Sequence, residues 1–414
     1  MDYSKKIVVI GGGAAGLMAA YTAATYGADV VLLERNGACG KKLRITGKGR
    51  CNVTNDCTLE EFLANVPTNP RFLYSALNKL SPQDVKAFFE DEGVSLKVER
   101  GRRVFPVSDK AQDIVDALCS ACKRAGVRIH AARVRSLITE GGRVSGVKTE
   151  DREYLADAVI VATGGKSYPR TGSDGDGYAL ARSVGHTVTP ILPSLVPIVS
   201  DSKICPSLQG LSLKNVSLCV VQKQSGKKIY EDFGEMMFTH FGLTGPMVLS
   251  ASAHIPDISS GGYEAQIDLK PALDEKTLDE RILSDFRKYA NKDFANSLGD
   301  LLPQKLIPVV ISLCGIAPHK KVNTITREER RSLVDTLKCL RISLVGFRSI
   351  TEAIITKGGI STKEISPKTM ESKLCEGLYF AGEVIDVDAY TGGYNLQIAF
   401  STGALAGMHA AWGE

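Results

Sequence analysis

Nowhere in these 414 residues is there an uninterrupted apolar run long enough to cross a bilayer. The 43% hydrophobic and 23% charged fractions are ordinary for a water-soluble globular chain, so membrane spanning and wholesale disorder are both excluded. The ten cysteines lack the even spacing of a disulfide framework. No Cys-x4-Cys pair of the disulfide-reductase kind follows the first two strand signals. The one Cys-x-x-Cys, Cys119 and Cys122, has no second Cys or His pair at zinc spacing, so no metal site is expected. It lies in residues 109–124, where Ile114, Val115, Leu118, Cys119 and Cys122 recur at helical spacing, and an amphipathic helix with buried thiols is expected there. Internal repeats, low-complexity tracts and heptads are absent, and there is no second complete G-x-G-x-x-G. The first apolar stretch is not followed by a small-residue cleavage site, and a cytoplasmic protein is expected.

What the chain has instead is a glycine clamp. The apolar run KIVVI at 6–10 leads directly into Gly11, Gly13, Ala14, Ala15 and Gly16, and a second apolar run at 29–33 ends on Glu34, followed by Arg35. The spacing predicts a strand, a tight turn at Gly11, close backbone approach to a pyrophosphate at Gly13, and close helix packing at Gly16. The phosphates would lie at a helix N-terminus, where free N–H groups and the macrodipole favour anions. Glu34 stands eighteen residues beyond Gly16, at the place of a ribose-binding acid. By itself the clamp does not choose between FAD and NAD.

The length fits two or three domains at roughly 100–200 residues each. Residues 1–192 alternate strand and helix signals, as an open α/β sheet requires. Ser81-Pro82 predicts a helix to about Glu92, Asp109 the start of the next, and strands are expected at 127–138, 144–149 and 154–161. The texture changes at about Pro193, with period-two patterns at 216–222 and 264–269. Helical patterns follow at 277–289, 294–301, 304–314 and 327–339, and strand character returns at 341–345, 353–356 and 378–381. The expected architecture is a discontinuous Rossmann-like dinucleotide domain (1–192 and 358–414) interrupted by a β-barrel-like insert (193–270 and 340–357) with a helical part (271–339).

Two further glycine turns follow apolar strands. One is ATGG at 162–165, containing Thr163 and Gly164. The other is Gly382-Glu383 with Asp386, leading through YTGGYNLQ at 390–397 (Tyr390, Gly393, Tyr394, Asn395, Leu396) into an Ala- and Gly-rich helix. An acid after a buried strand can hold ribityl hydroxyls, and a helix N-terminus can face the pyrimidine edge of a flavin, where reduction places negative charge. Three such turns fit FAD and not NAD. Between residues 41 and 50 stand Lys41, Lys42, Arg44, Lys48 and Arg50 with no acid, against a net charge of +5 for the whole chain. Two readings stand for this run: neutralisation of cofactor phosphates, or binding of an anionic substrate such as RNA.

The segments GKKLRITGKGRCNVTN (40–55), RVFP (103–106), FTHFGLTGP (238–246) and GEVIDVDAYTGGYN (382–395) resemble the BaiN/RdsA (YhiN-like) family of FAD flavoproteins across nearly the whole chain. The TGG at 163–165 and TGSDGDG at 171–177 also resemble fumarate reductase and aspartate oxidase flavoproteins of the wider glutathione-reductase-type superfamily, which lack the loop carrying Arg50, Cys51 and Asn52. The family resemblance implies a two-dinucleotide-binding-type FAD domain. It implies cofactor roles for Gly11, Gly13, Ala14, Ala15, Gly16, Glu34, Arg35, Lys42, Arg44, Gly49, Arg50, Cys51, Asn52, Val134 beside the adenine, Thr163, Gly164, Gly382, Glu383, Asp386, Gly393, Tyr394, Asn395 and Leu396. Lys48 departs from the pattern, standing where relatives carry glycine.

The implied activity is reduction of a carbon–carbon double bond conjugated to a carbonyl, as in bile-acid enones or in the uridine of ribosomal RNA. Hydride goes to the β-carbon, charge moves onto the carbonyl oxygen, and an acid protonates the α-carbon. Candidates for the donor roles are Arg50, Cys51, His240 and Tyr390. Each has a plainer alternative: Cys51 as a small residue packed beside the ring, His240 hydrogen-bonded within the insert, Tyr390 stacked on the flavin. Ribosomal RNA is the favoured substrate on the strength of the basic run, with a small-molecule enone next. NAD(P)H is expected as a transient reductant. A flavin-binding redox module without catalysis and an oxidase are the rival classes.

Overall fold

The computed structural model describes residues 4–258 and 262–412. The chain folds into two compact units, Met1–Ser194 with Ile350–Glu414, and Leu195–Ser349. The first unit is built on five parallel strands: β1 (Lys6–Ile10), β2 (Asp29–Glu34), β3 (Arg128–Ala131), β4 (Ala158–Val161) and β5 (Leu378–Phe380), in the order β5-β4-β1-β2-β3. That order winds outward in both directions from β1 and β4. β4 is buried along its whole length, and the run AVIV accordingly shows no alternation.

Helix α1 (Ala14–Thr25) follows β1, and α2 (Tyr394–Trp412) follows β5. Both are apolar all round, and small residues let their backbones meet. A Cβ on Gly403 would stand 2.4 Å from the Ala15 carbonyl oxygen, and one on Gly407 2.3 Å from that of Ala19. The Ala/Gly richness of the last helix is therefore a packing requirement. The Ser81 start is formed by a capping box: Ser81 Oγ accepts from the Asp84 N–H at 3.2 Å, Asp84 accepts from the Ser81 N–H at 2.7 Å, and Pro82 occupies the first turn.

Several sequence expectations are corrected in detail. The stretch 127–138 is two strands in two sheets. β3 ends at Ala131, the Ala132 N–H still reaches the Glu34 carbonyl at 3.0 Å, and Ser136–Glu140 then pairs antiparallel with Arg143–Lys148. Residues 154–161 likewise divide into Glu153–Leu155 in that small sheet and β4 in the parallel one. The helix expected from Asp109 begins at Ala111, because Asp109 has φ +56°.

In the second unit, seven antiparallel strands run in the order Leu340–Leu344, Tyr263–Asp268, Ser212–Gln222, Lys228–Thr239, Gly242–Thr244, Ile198–Val199, Gly346–Phe347. The two outer strands of that order are consecutive in the chain, separated only by Val345, whose N–H donates to the Val199 carbonyl at 2.9 Å. Helices Glu275–Lys288, Ile307–Cys314 and Arg327–Lys338 pack with this sheet around one core. The helix expected at 294–301 is only a short turn, Phe294–Asn296; the Ser297 and Leu301 N–H groups close on carbonyls three residues back, Phe294 at 3.1 Å and Leu298 at 3.0 Å, as separate turns. The units divide at Ser194/Leu195 and Ser349/Ile350, not at 193 and 357. Ile355–Lys357 pairs with Leu192–Ser194 inside the first unit.

Candidate functional site

The carboxyl ends of β1 and β4 lie side by side where the winding reverses, the crevice in which open α/β sheets take ligands. Gly11 through Gly16 turn the chain from β1 into α1. A Cβ on Gly16 would sit 1.8 Å from the Gly11 carbonyl oxygen, so only glycine closes this turn. A Cβ on Gly13 would meet nothing within 4 Å. Gly13 caps α1 with no side-chain hydrogen bond, which leaves the N–H groups of the first turn, those of Ala14 and Ala15 included, for an anion.

Glu34 is buried, and its carboxylate is committed on both oxygens. Oε2 accepts from the Gly12 N–H at 2.7 Å, and Oε1 accepts from the N–H and side-chain amide of Asn36 at 2.7 Å each. It therefore shapes the clamp before any hydroxyl reaches it. Arg35 pairs with Asp174 and, at 3.0 Å, with Asp176; Arg133 pairs with Asp176 at 2.7 Å, beside the buried Val134.

One polar network joins the basic run to the second and third glycine turns. Lys42 Nζ donates to Glu383 Oε2 and to Ser167 Oγ, both at 2.7 Å, and Glu383 Oε1 accepts from the Thr356 N–H at 2.8 Å. Of the five cations of the basic run, Lys42 and Arg50 are ion-paired within the chain. Lys41 reaches Asn36 Oδ1 at 3.2 Å. Arg44 donates to the Cys39 carbonyl at 2.6 Å and to Gln112 at 2.7 Å. Arg50 is held by Glu99 and Asp109, stacked 4.2 Å from the Phe105 ring centroid, and kept protonated by those two carboxylates. Among the described residues Lys48 alone of the five has no side-chain partner.

Lys48 has φ +59° between Gly47 at +56° and Gly49 at +85°, a left-handed run that favours glycine. Such a conformation costs a non-glycine residue about 1–2 kcal/mol, more than the extra chain entropy a glycine gives up. Lys48→Gly is therefore expected to raise the melting temperature; thermal unfolding followed by circular dichroism reads it, and a fall would contradict this loop path.

Cys51 is wholly buried at φ +60°, and burial pushes its thiol up to about 12, so it is a neutral S–H group at ordinary pH. Next to it, Asn52 Oδ1 is buried without a hydrogen-bond partner, and so is Thr163 Oγ1 beside Gly164. Such orphans cost about 1–3 kcal/mol each when nothing pairs them, and here they fit the polar groups of a cofactor.

At the third turn, the Gly382 N–H donates to Thr402 Oγ1 at 2.9 Å, and burial raises the Asp386 carboxyl above the usual range. Asn395 spends its side chain on the loop it follows, accepting from the Ala389 N–H at 3.0 Å and donating to the Ala389 carbonyl at 2.7 Å. Gly393 lies against the Thr54 backbone, Tyr394 packs edge-on against Phe62 with centroids 5.1 Å apart, and Leu396 is half-buried. Tyr390 donates its N–H to the Asn65 carbonyl at 3.0 Å, and burial together with the Asp388 charge raises its phenol.

Two contributors were missed from sequence. Gln397, fully buried, takes the Thr54 hydroxyl at 2.6 Å and donates to the Leu80 carbonyl at 2.8 Å, tying the start of α2 to both. Its only signal was an amide inside an apolar helix. Ser167 carried no signal at all. His240 belongs to the second unit, in the turn between Lys228–Thr239 and Gly242–Thr244. It is exposed and packs edge-on against Phe241 instead of being tied into the sheet.

The clamp, the open helix N-terminus, the orphaned polar atoms and the converging turns suit a dinucleotide with a second recognised end. The chain matches the HI0933-like protein Rossmann domain over residues 5–409. The chain belongs to that family. It is 32% identical over 98% of its length to a 3-dehydro-bile acid delta(4,6)-reductase of Clostridium scindens, covering 99% of that protein. It is also 32% identical to a ribosomal RNA dihydrouridine synthase of Haemophilus influenzae, over 97% of each chain. Among solved structures, a 3-ketosteroid delta1-dehydrogenase from Sterolibacterium denitrificans has the same fold, with a TM-score of 0.55 at 13% identity, covering 99% of this chain and 100% of that one. This HI0933-like chain is an FAD-dependent oxidoreductase. Among its described residues no helix is long and apolar enough to cross a membrane.

Proposed function

We propose that this protein reduces a carbon–carbon double bond conjugated to a carbonyl, with uridine in ribosomal RNA as its substrate. The observation that carries the reading is the meeting of three glycine turns: a Cβ on Gly11 would stand 2.6 Å from the Ala162 carbonyl oxygen and one on Gly382 2.8 Å from Ala15 Cβ, while Lys42 bridges Ser167 and Glu383. The C5–C6 bond of uracil and the enone of a steroid pose the same chemical problem, and near-full-length relatives bear both names.

Gly11 through Gly16 would hold the pyrophosphate, Glu34 the adenosine end, Asn52 and Thr163 polar groups of the cofactor, and the start of α2 the flavin. When bound, the flavin supplies the hydride. The chain's own part is to orient the substrate, to stabilise charge on its carbonyl oxygen and to deliver a proton. Tyr390, at the third turn with its phenol raised and hence protonated, is the candidate proton donor of the first unit. Cys51 is protonated but sealed, and Arg50 would have to leave two carboxylates to serve an oxyanion. NAD(P)H is the proposed transient reductant.

A small-molecule enone is the second reading, favoured by the internal ion pairs of Lys42 and Arg50, which take those two charges of the basic run away from phosphate binding. The deciding comparison is dihydrouridine in ribosomal RNA from cells with and without the gene, alongside turnover of a steroid enone by purified protein. Loss of dihydrouridine on deletion is expected. Unchanged dihydrouridine with rapid enone turnover would transfer the assignment to the second reading, and neither activity would overturn both.

A further inference from the structure

The loop that follows Ile45 holds a cation in a conformation that works against the fold. Lys48, at φ +59° between Gly47 at +56° and Gly49 at +85°, is exposed and, among the described residues, makes no side-chain hydrogen bond or ion pair that would offset the strain. Strain kept without a structural contact points to a ligand.

The loop rests on a small sheet. Thr54–Asn55, Arg103–Pro106 and Leu96–Glu99 pair antiparallel in that order, with Arg103 opposite both Asn55 and Glu99, and Phe105 opposite Lys97. Arg103, Phe105, Glu99 and Lys97 therefore share one face. Phe105 joins the loop to it: a Cβ on Gly47 would stand 3.3 Å from Phe105 Cε1, and the guanidinium carbons of Arg50 and Arg103 lie 4.2 Å and 5.8 Å from the ring centroid. The same Cβ on Gly47 would be 3.2 Å from the Asn52 nitrogen, and Asn52 Oδ1 is the buried atom left for a cofactor group. Lys48 is thus displayed beside the cofactor cradle.

The two carboxylates of this face, Glu99 and Asp109, are fully engaged. The Arg50 fork takes both oxygens of Glu99, Oε2 at 3.3 Å, and its Nε donates to Asp109 Oδ1 at 2.8 Å, while Lys97 donates to Asp109 Oδ2 at 2.9 Å. Arg103 stands opposite Glu99 in register yet obtains no carboxylate; its Nε donates to the Arg100 carbonyl at 3.0 Å. Among the described residues, Lys48 and Arg103 are left as cations of this face without an acid. An arginine fork and a flexible ammonium together suit the oxygens of a phosphodiester.

We propose that Lys48 and Arg103 form the docking face for the phosphodiester backbone of an RNA substrate. The proposal rests on the RNA reading of the function. Because Lys42 and Arg50 are committed to carboxylates, the charge that meets a polyanion comes from these two residues instead. The reacting uracil has to be unstacked, so the strand crossing the face is single, and each phosphate it sets against a cation releases counterions.

Full-length holoprotein carrying Lys48→Gln, Arg103→Gln or both is compared with wild type in three ways: flavin absorbance, anisotropy of a labelled oligouridylate across a salt series, and dihydrouridine in ribosomal RNA of gene-deleted cells that carry each variant. Flavin content is expected to stay at the wild-type level. Each substitution should reduce the slope of log affinity against log salt by about 0.7, and the double variant should bind at least about tenfold more weakly at low salt and restore less dihydrouridine. Lys48→Arg should bind as wild type does, whereas Lys48→Gly, although expected to melt higher, should bind as weakly as Lys48→Gln. Fold damage cannot produce that last combination. An unchanged salt slope in the double variant, with dihydrouridine restored as fully as by wild type, would overturn the face and leave the RNA reading standing. Loss of flavin together with RNA binding in Lys48→Gln would make the lysine a cofactor ligand and overturn it too. Deletion that leaves dihydrouridine unchanged defeats the RNA reading itself, and the face falls with it.

Discussion

Gly13→Ala protein is expected to fold as the wild type does and to come off the column without flavin. The position has φ −85°, open to any residue, and a Cβ placed there meets nothing within 4 Å. Alanine caps a helix less well than glycine, a loss of no more than about 1 kcal/mol, so the apoprotein's melting temperature should barely move. The same Cβ fills the concavity into which a pyrophosphate must fit, and direct approach of backbone to phosphate is what the clamp provides. Affinity for FAD should fall at least about a hundredfold, equivalent to about 3 kcal/mol, read as loss of visible flavin absorbance and by titration of apoprotein. Gly16→Ala is the contrast. Its Cβ would stand 1.8 Å from the Gly11 carbonyl oxygen, so it should lose stability and flavin together. Retention of flavin by Gly13→Ala at wild-type affinity would place the phosphates elsewhere.

Gly407→Leu is expected to give the largest loss of stability. The added side chain begins 2.3 Å from the Ala19 carbonyl oxygen and 3.1 Å from the Ala23 N–H nitrogen, both backbone atoms of α1 that no rotamer change can move. The helices must part, taking Gly403 and Ala15 out of register with them. Overpacking a core costs about 1–3 kcal/mol and at times more; with two backbones in contact the upper figure applies. For a unit of this size that lowers the melting temperature by roughly 6–12 °C, measured by calorimetry on apoprotein and holoprotein. A shift within a degree of wild type would show that α1 and α2 do not meet through these glycines.

How much of this was legible follows from how local each signal is. The strand–turn–helix path at Gly11–Gly16, the helix start at Ser81 and the unbroken apolar run of β4 are written in a few consecutive residues, and each formed where it was expected. Residues 127–138 misled because alternation announces a strand without saying which sheet it joins: the chain changes sheets between Ala131 and Ser136. Residues 294–301 misled because apolar spacing does not separate a helix from consecutive single turns, and here the Ser297 and Leu301 N–H groups close on carbonyls three residues back. The basic run showed its cations but not their partners: Glu99, Asp109 and Glu383 come to meet Arg50 and Lys42 from distant segments, whereas Lys41 and Arg44 bond to neutral groups.

By itself the sequence determined the dinucleotide class, because glycine spacing after apolar strands encodes a backbone path that few folds share, and its resemblance at 40–55, 103–106, 238–246 and 382–395 pointed to the family. It also determined that one unit interrupts another, through the change of texture near Pro193. Only the tertiary structure decided what the charged and polar residues do. Glu34 became the support of Gly12, and Lys42 and Arg50 of the basic loop became ion-paired to Glu383, Glu99 and Asp109. The physical reason is range: backbone conformation follows from residues a few positions apart, whereas the partner of a charge or a thiol is whatever the packed chain carries to within about 3 Å of it.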